Sequence, residues 1–248
     1  MTVSALSVQL YTVRDALAAD LPGTLHRVAE IGFRNVELFG FVELADQYAE
    51  LLPADGLSAP TAHAHLVGTD PSAVFAAASK IGITTLIDPH IDRSLWTAKD
   101  DVLASAKAVN ELAKQGADHG LRIGYHNHWW ETENRIDDVT AYEVFFDALD
   151  PEVVLEVDTY WAEVGGASAA DLLRTFGDRV VAIHVKDGAV SQDDQEQTAV
   201  GSGKLDVLAI LDAAPQALRV VELDGFRGDM FDALRDSFAF LTSHGVTA

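Results

Sequence analysis

Eight short aliphatic runs recur along the chain, each followed by a longer amphipathic stretch, and this alternation limits the possible folds more than any other feature of the sequence. The runs read SVQLY (7–11), NVEL (35–38), SAPTAH (58–63), TTLID (84–88), RIGYH (122–126), VVLEV (153–157), VVAIHV (180–185) and RVVEL (219–223). The stretches between them, LPGTLHRVAEIG and DDVLASAKAVNELAKQGADHG among them, space apolar residues three and four apart, as one face of an α-helix requires. Four junctions (IGFRNVEL, IGITTLID, HGLRIGYH and FGDRVVAIH) place glycine just ahead of a strand, the pattern of a helix C-cap leading into a buried strand. Eight such units in 248 residues predict an α/β chain folded as a single (β/α)8 TIM barrel, one domain over 1–248. An open doubly wound sheet would carry a glycine-rich phosphate loop after its first strand, where this chain reads QLYTVRDAL.

Charge and cysteine content narrow the function classes. A formal net charge of −22 with no basic cluster repels polyanions, so no nucleic-acid partner is expected. The absence of cysteine removes zinc–thiolate sites, iron–sulfur clusters and thiol nucleophiles. Any metal must then be held by His, Asp and Glu, a donor set that suits Mn²⁺, Mg²⁺, Co²⁺ or Zn²⁺. No charge-free apolar run is long enough to span a bilayer, and MTVSALSVQLYTVRD has no basic segment ahead of its apolar residues. The expectation is a cytoplasmic protein with no membrane partner.

In such barrels the polar residues at the C-terminal strand ends converge on the mouth, and here those ends are rich in ligands. In strand order they carry Glu37; His63 and His65; Asp88 and His90; His126, Asn127 and His128; Asp158; His184, Lys186 and Asp187; Glu222 and Asp224. Asp88 or Asp224 alone reads as a solvated rim residue. Asp158, His184 and Glu222 each close an aliphatic run whose other members need burial, and a charge there wants a partner. A divalent cation supplies one: carboxylate, imidazole and carboxylate from three consecutive strands, with a fourth ligand from strand 5, leave positions open for substrate oxygens. Lys186, two residues beyond His184, points the same way, where it can bind a substrate oxygen or pair with Asp187 or another rim carboxylate. Trp129, Trp130 and Trp161 offer faces to the C–H side of a sugar ring. The segment SQDDQEQTAVGSGKL (191–205) reads as a mobile loop over the mouth, its GSG either a hinge or a set of N–H groups near a phosphate.

The motifs VQLYTVRD, YHNHWWE, VDTYWA, HVKDG and VVELDG, in that order on strands 1, 5, 6, 7 and 8, resemble those of the sugar phosphate isomerase/epimerase superfamily, the xylose-isomerase-like barrels. The resemblance implies a metal held by Glu, Asp, His and Glu from strands 5 to 8, which places Asp158, His184 and Glu222 among the ligands. Strand 5 departs from that pattern with His126. The subgroup with YHNH and a following Glu implies Glu131 as fourth ligand, with His126 its rival. The implied activity is a divalent-metal-dependent isomerase or epimerase of a sugar, keto-sugar or related polyol, Mn²⁺ ranking first among the metals. An enediolate intermediate is formed by Glu222 or His126 as base, with His63 or Lys186 as proton donor or oxyanion partner. His65, His128, Trp161 and Glu37 complete the set as substrate-binding residues. The alternative is a lyase or dehydratase that eliminates from a 3-keto sugar, keto-glycoside or inosose. DNA repair enzymes share this barrel but need a basic surface. A homo-oligomer is expected from the habit of the superfamily.

Overall fold

The computed structural model describes residues 5–247. Eight parallel strands form a closed barrel in sequence order. They are β1 (Leu6–Gln9), β2 (Asn35–Leu38), β3 (Ser58–His63), β4 (Thr85–Asp88), β5 (Arg122–His126), β6 (Val154–Asp158), β7 (Val180–Val185) and β8 (Leu218–Val221). Pairing of Val8 with Val221 closes the ring between β1 and β8. The outer layer holds α1 (Leu21–Ile31), α2 (Ala45–Ala54), α3 (Ser72–Ile81), α4 (Lys99–Ala117), α5 (Ala141–Ala148), α6 (Ala169–Phe176), α7 (Val207–Ala213) and α8 (Met230–Ser243). None of the helices among the described residues is long and apolar enough to cross a membrane.

The alternation of β5 shows how the sequence sorts its side chains. Ile123 and Tyr125 face outward, and Tyr125 packs with Trp96 and Phe145 at ring separations of 5.5 and 5.0 Å in the layer between barrel and helices. Gly124 and His126 face inward. A methyl group on Gly124 would lie 2.6 Å from the Ile87 side chain and 2.9 Å from the Val154 carbonyl, so glycine lets β4, β5 and β6 close beneath His126.

Two strand ends differ from the sequence reading in ways that matter for the site. The run expected over 7–11 stops at Gln9, because the Gln9 side-chain carbonyl accepts the Tyr11 N–H at 3.0 Å and caps a 3₁₀ turn over Leu10–Val13. Tyr11 is thereby set on the rim. The last strand stops at Val221, which puts Glu222 on the first residue beyond it.

Candidate active site

Inward-facing residues of β2, β3, β5, β6 and β7 form a polar knot within the barrel. Glu37, Glu156, Asp158 and His184 are fully buried, and His126 and Glu222 nearly so. His184 is the hinge of the arrangement. Its Nδ1 lies 2.7 Å from Glu222 Oε2, and its Nε2 lies 2.7 Å from Glu37 Oε1 and 3.1 Å from Glu156 Oε2. His126 is placed likewise, Nδ1 at 3.1 Å from Glu156 Oε2 and Nε2 at 3.9 Å from Asp158 Oδ2. His63 Nε2 sits 2.5 Å from Glu156 Oε2 and 3.2 Å from Glu37 Oε1, and Gln9 donates to Glu37 at 2.9 Å.

Such crowding shifts the titrations strongly. Burial lowers the His63 pKa, but the carboxylates of Glu37 and Glu156 outweigh it and raise it to about 10. His184 is likewise raised well above its ordinary value, by Glu156 and Glu222 against burial. Burial, reinforced by the charge on His184, pushes His126 the other way, well below the ordinary histidine range. Burial and Glu37 press the Glu156 carboxyl upward, yet the neighbouring imidazoles hold it at about 2.

Two groups of side chains bring one potential ligand atom each within 4.8 Å of the others: Asp158, His184 and Glu222, and also His63, His126, Glu156 and His184. The donors suit a divalent ion, and Glu37 Oε2 and Glu156 Oε1 are buried with no hydrogen-bond partner. Asp158 also holds local backbone: its Oδ1 accepts the Trp161 N–H at 2.8 Å and caps the helix Thr159–Val164.

Lys186 shares the inward face with His184, and its ammonium touches Asp158, Glu222 and Asp224 at 2.8, 2.7 and 2.6 Å. Of the two partners the sequence offered, it is another rim carboxylate, Asp224, and not Asp187, that pairs with it. The Asp187 carboxylate instead accepts the N–H groups of Gly188, Gly201, Gly203 and Leu205. The segment read as a mobile loop is thus tied to the barrel, and the GSG amides that could have met a phosphate are taken. A methyl group on Gly203 would fall 2.1 Å from Asp187 Oδ1, which is why that position needs glycine. Asp187→Ala leaves four N–H groups without their acceptor. The expected result is a segment 189–204 that is cut by protease far faster than in the parent chain, with a stability loss of about 1–3 kcal/mol.

Glu131 is not brought to the knot. Both its oxygens are engaged on the outer side of β5, one by the Tyr125 hydroxyl at 2.7 Å and the other by the His128 N–H at 2.9 Å. Tyr125 and His126 are neighbours on a strand and point opposite ways, so a carboxylate bound to the first is aimed away from the second. Glu156, in contrast, went unassigned in the sequence because it sits inside the run VVLEV. The signal was its spacing: two residues before Asp158, it must share that residue's face.

Above the knot opens a cavity of about 670 Å³ whose lining includes His63, His65, His126, His128, Glu222 and Asp224. Trp161 lines a smaller hollow of about 320 Å³ that shares Tyr11, His128 and Asp224 with the first. Glu37 lines neither hollow; it serves His184 from within the barrel.

Residues 25–243 match the family described as Xylose isomerase-like TIM barrel. The chain belongs to that family. Solved structures of xylose isomerase-like and related barrels superpose along nearly its whole length. A sugar phosphate isomerase/epimerase from Parabacteroides distasonis is 20% identical with a TM-score of 0.84, over 100% of this chain and 96% of that one. An IolI protein with a bound zinc atom is 15% identical, TM-score 0.76, over 96% and 97%. A D-psicose 3-epimerase in the presence of D-fructose is 16% identical, TM-score 0.68, over 96% and 98%. At these identities the likeness is one of fold. None of the curated proteins matches the chain. The polar groups of this chain gather toward the C-terminal strand ends, where (β/α)8 barrels carry their active sites.

Proposed function

We propose that this chain is a divalent-metal-dependent isomerase or epimerase of a sugar, keto-sugar or related polyol, working through an enediolate. The observation that carries this reading is the convergence of Asp158, His184 and Glu222 beside a cavity open to substrate. These three would hold the ion, with His126, whose Nε2 faces Asp158, as the fourth ligand in place of Glu131. Bound there, a divalent ion, Mn²⁺ first among those that suit the donors, would polarise the substrate carbonyl and offset the charge of the enediolate.

The buried carboxylates complete the arrangement. His184 keeps Nδ1 toward Glu222 and rests Nε2 on Glu37 and Glu156; His126 rests Nδ1 on Glu156. A carboxylate behind a ligating imidazole fixes its tautomer and ring orientation. Glu222 reaches the cavity and is placed to take the proton from the carbon next to the carbonyl. His63, also on the cavity wall and cationic at neutral pH, is placed to give a proton to the carbonyl oxygen. Return of a proton to the neighbouring carbon, or to the opposite face of the same carbon, yields the isomer or the epimer.

The test is solvent exchange. Metal-loaded protein incubated with ketoses in D₂O should introduce deuterium at the carbon α to the carbonyl. Glu222→Gln should slow this by at least ~100-fold, the lower range of a positioned acid–base group. Turnover without deuterium uptake would defeat the enediolate route. Loss of a β-substituent with formation of an enone would assign the same site to elimination.

A further inference from the structure

The cavity has two unlike sides. Toward the barrel axis lie His63, His126 and Glu222; the segments that follow β1 to β4 contribute Tyr11, Phe39, Phe41, Val42, Val74 and Pro89, interrupted by His65 and His90. Tyr11 and Phe39 meet edge to face at 5.2 Å, and Tyr11 is 39% exposed, an unusual setting for a large ring at a polar mouth. At about 670 Å³ the space falls in the range that encloses drug-sized ligands, larger than a single sugar ring needs.

Cationic groups are as informative as the apolar ones. Among the described residues no lysine or arginine lines the cavity. Lys186 is buried among three carboxylates. Arg14, on the smaller hollow, donates to the Tyr11 and Asp224 carbonyls and stacks on the Tyr11 ring at 4.2 Å. The GSG amides point at Asp187. Lys186 and Arg14 are thus engaged elsewhere, the cationic His63 is already matched by the Glu37 and Glu156 carboxylates, and Glu222 and Asp224 would repel a phosphate dianion.

We propose that the substrate is an uncharged glycoside with an apolar aglycone, aryl or alkyl, whose sugar ring carries the ketone that enediolate formation needs, and not a sugar phosphate. Its sugar ring lies against His63, His126 and Glu222, and its aglycone against Phe39, Val42 and Val74. This rests on the reading of the site as a sugar-processing centre and names the class of sugar.

Calorimetric titration of the metal-loaded protein with phenyl β-D-glucoside, glucose and glucose 6-phosphate tests it without requiring turnover. The phenyl glucoside should bind at least tenfold more tightly than glucose, and glucose 6-phosphate no more tightly than glucose. Val74→Arg, on a partly exposed helix position, should abolish the phenyl advantage, bringing the ratio of phenyl glucoside to glucose affinity to about one. Phe39→Ala should reduce the advantage if the arginine variant does not fold. Equal binding of the two uncharged sugars, tightest binding of the phosphate, or no measurable binding of the phenyl glucoside overturns the proposal. Aryl preference in a protein that never exchanges deuterium would retire the isomerase reading and leave the substrate class standing; exchange on a sugar phosphate alone would do the reverse.

Discussion

Asp158→Asn should strip the protein of bound divalent metal and lower turnover by more than ~100-fold, beyond the ten- to hundredfold loss of a group that merely supports a ligand. The substitution isolates the charge. Asparagine caps a helix about as well as aspartate, so the hydrogen bond to the Trp161 N–H and the helix Thr159–Val164 should survive. The other carboxylate oxygen, Oδ2, meets the Lys186 ammonium at 2.8 Å, and an asparagine NH₂ in its place opposes that donor. Chelated protein should therefore lose about 1–3 kcal/mol of stability, the cost of one buried mismatch. What should disappear is the rise in melting temperature on adding Mn²⁺, because a ligand stabilises only the state that binds it. Metal content by elemental analysis and a melting scan with and without Mn²⁺ check both halves.

The second large effect separates the two strand-5 residues. His126→Asn should lower metal affinity by well over the ten- to hundredfold of a supporting residue, because its Nε2 faces Asp158 and its Nδ1 is already held by Glu156. Glu131→Gln should keep the metal and lose stability instead. The Tyr125 hydroxyl can still donate to a glutamine oxygen, but the glutamine NH₂ then opposes the His128 N–H, a buried mismatch of about 1–3 kcal/mol. Metal titrations of the two variants, read beside urea denaturation, decide the matter; metal lost with Glu131→Gln and kept with His126→Asn would reverse the assignment.

The barrel was legible because its signal is periodic and repeated: NVEL, SAPTAH, RIGYH and VVAIHV coincide with β2, β3, β5 and β7 residue for residue. Strand ends were less so where a side chain intervened, as Gln9 does in turning Leu10 and Tyr11 out of β1. The convergence of Asp158, His184 and Glu222 followed from strand order alone, since consecutive parallel strands bring equivalent ends together. Two things did not follow. A hydrophobic run hides an inward Glu156 unless its spacing from Asp158 is counted, and the direction of Glu131 depends on a tyrosine hydroxyl whose position no sequence period states. The role of Asp187 was hidden for a similar reason, since its partners lie up to 18 residues downstream in a segment without periodicity.

Diffraction from crystals loaded with Mn²⁺, with anomalous data collected at the manganese edge, tests the metal centre itself. One strong peak should lie within coordination distance of Asp158 Oδ2, His184 Nδ1 and Glu222 Oε2, and it should be absent from crystals of Asp158→Asn. A peak held by Glu131, or no ordered ion in crystals whose protein is fully active, would show that the centre is assigned wrongly.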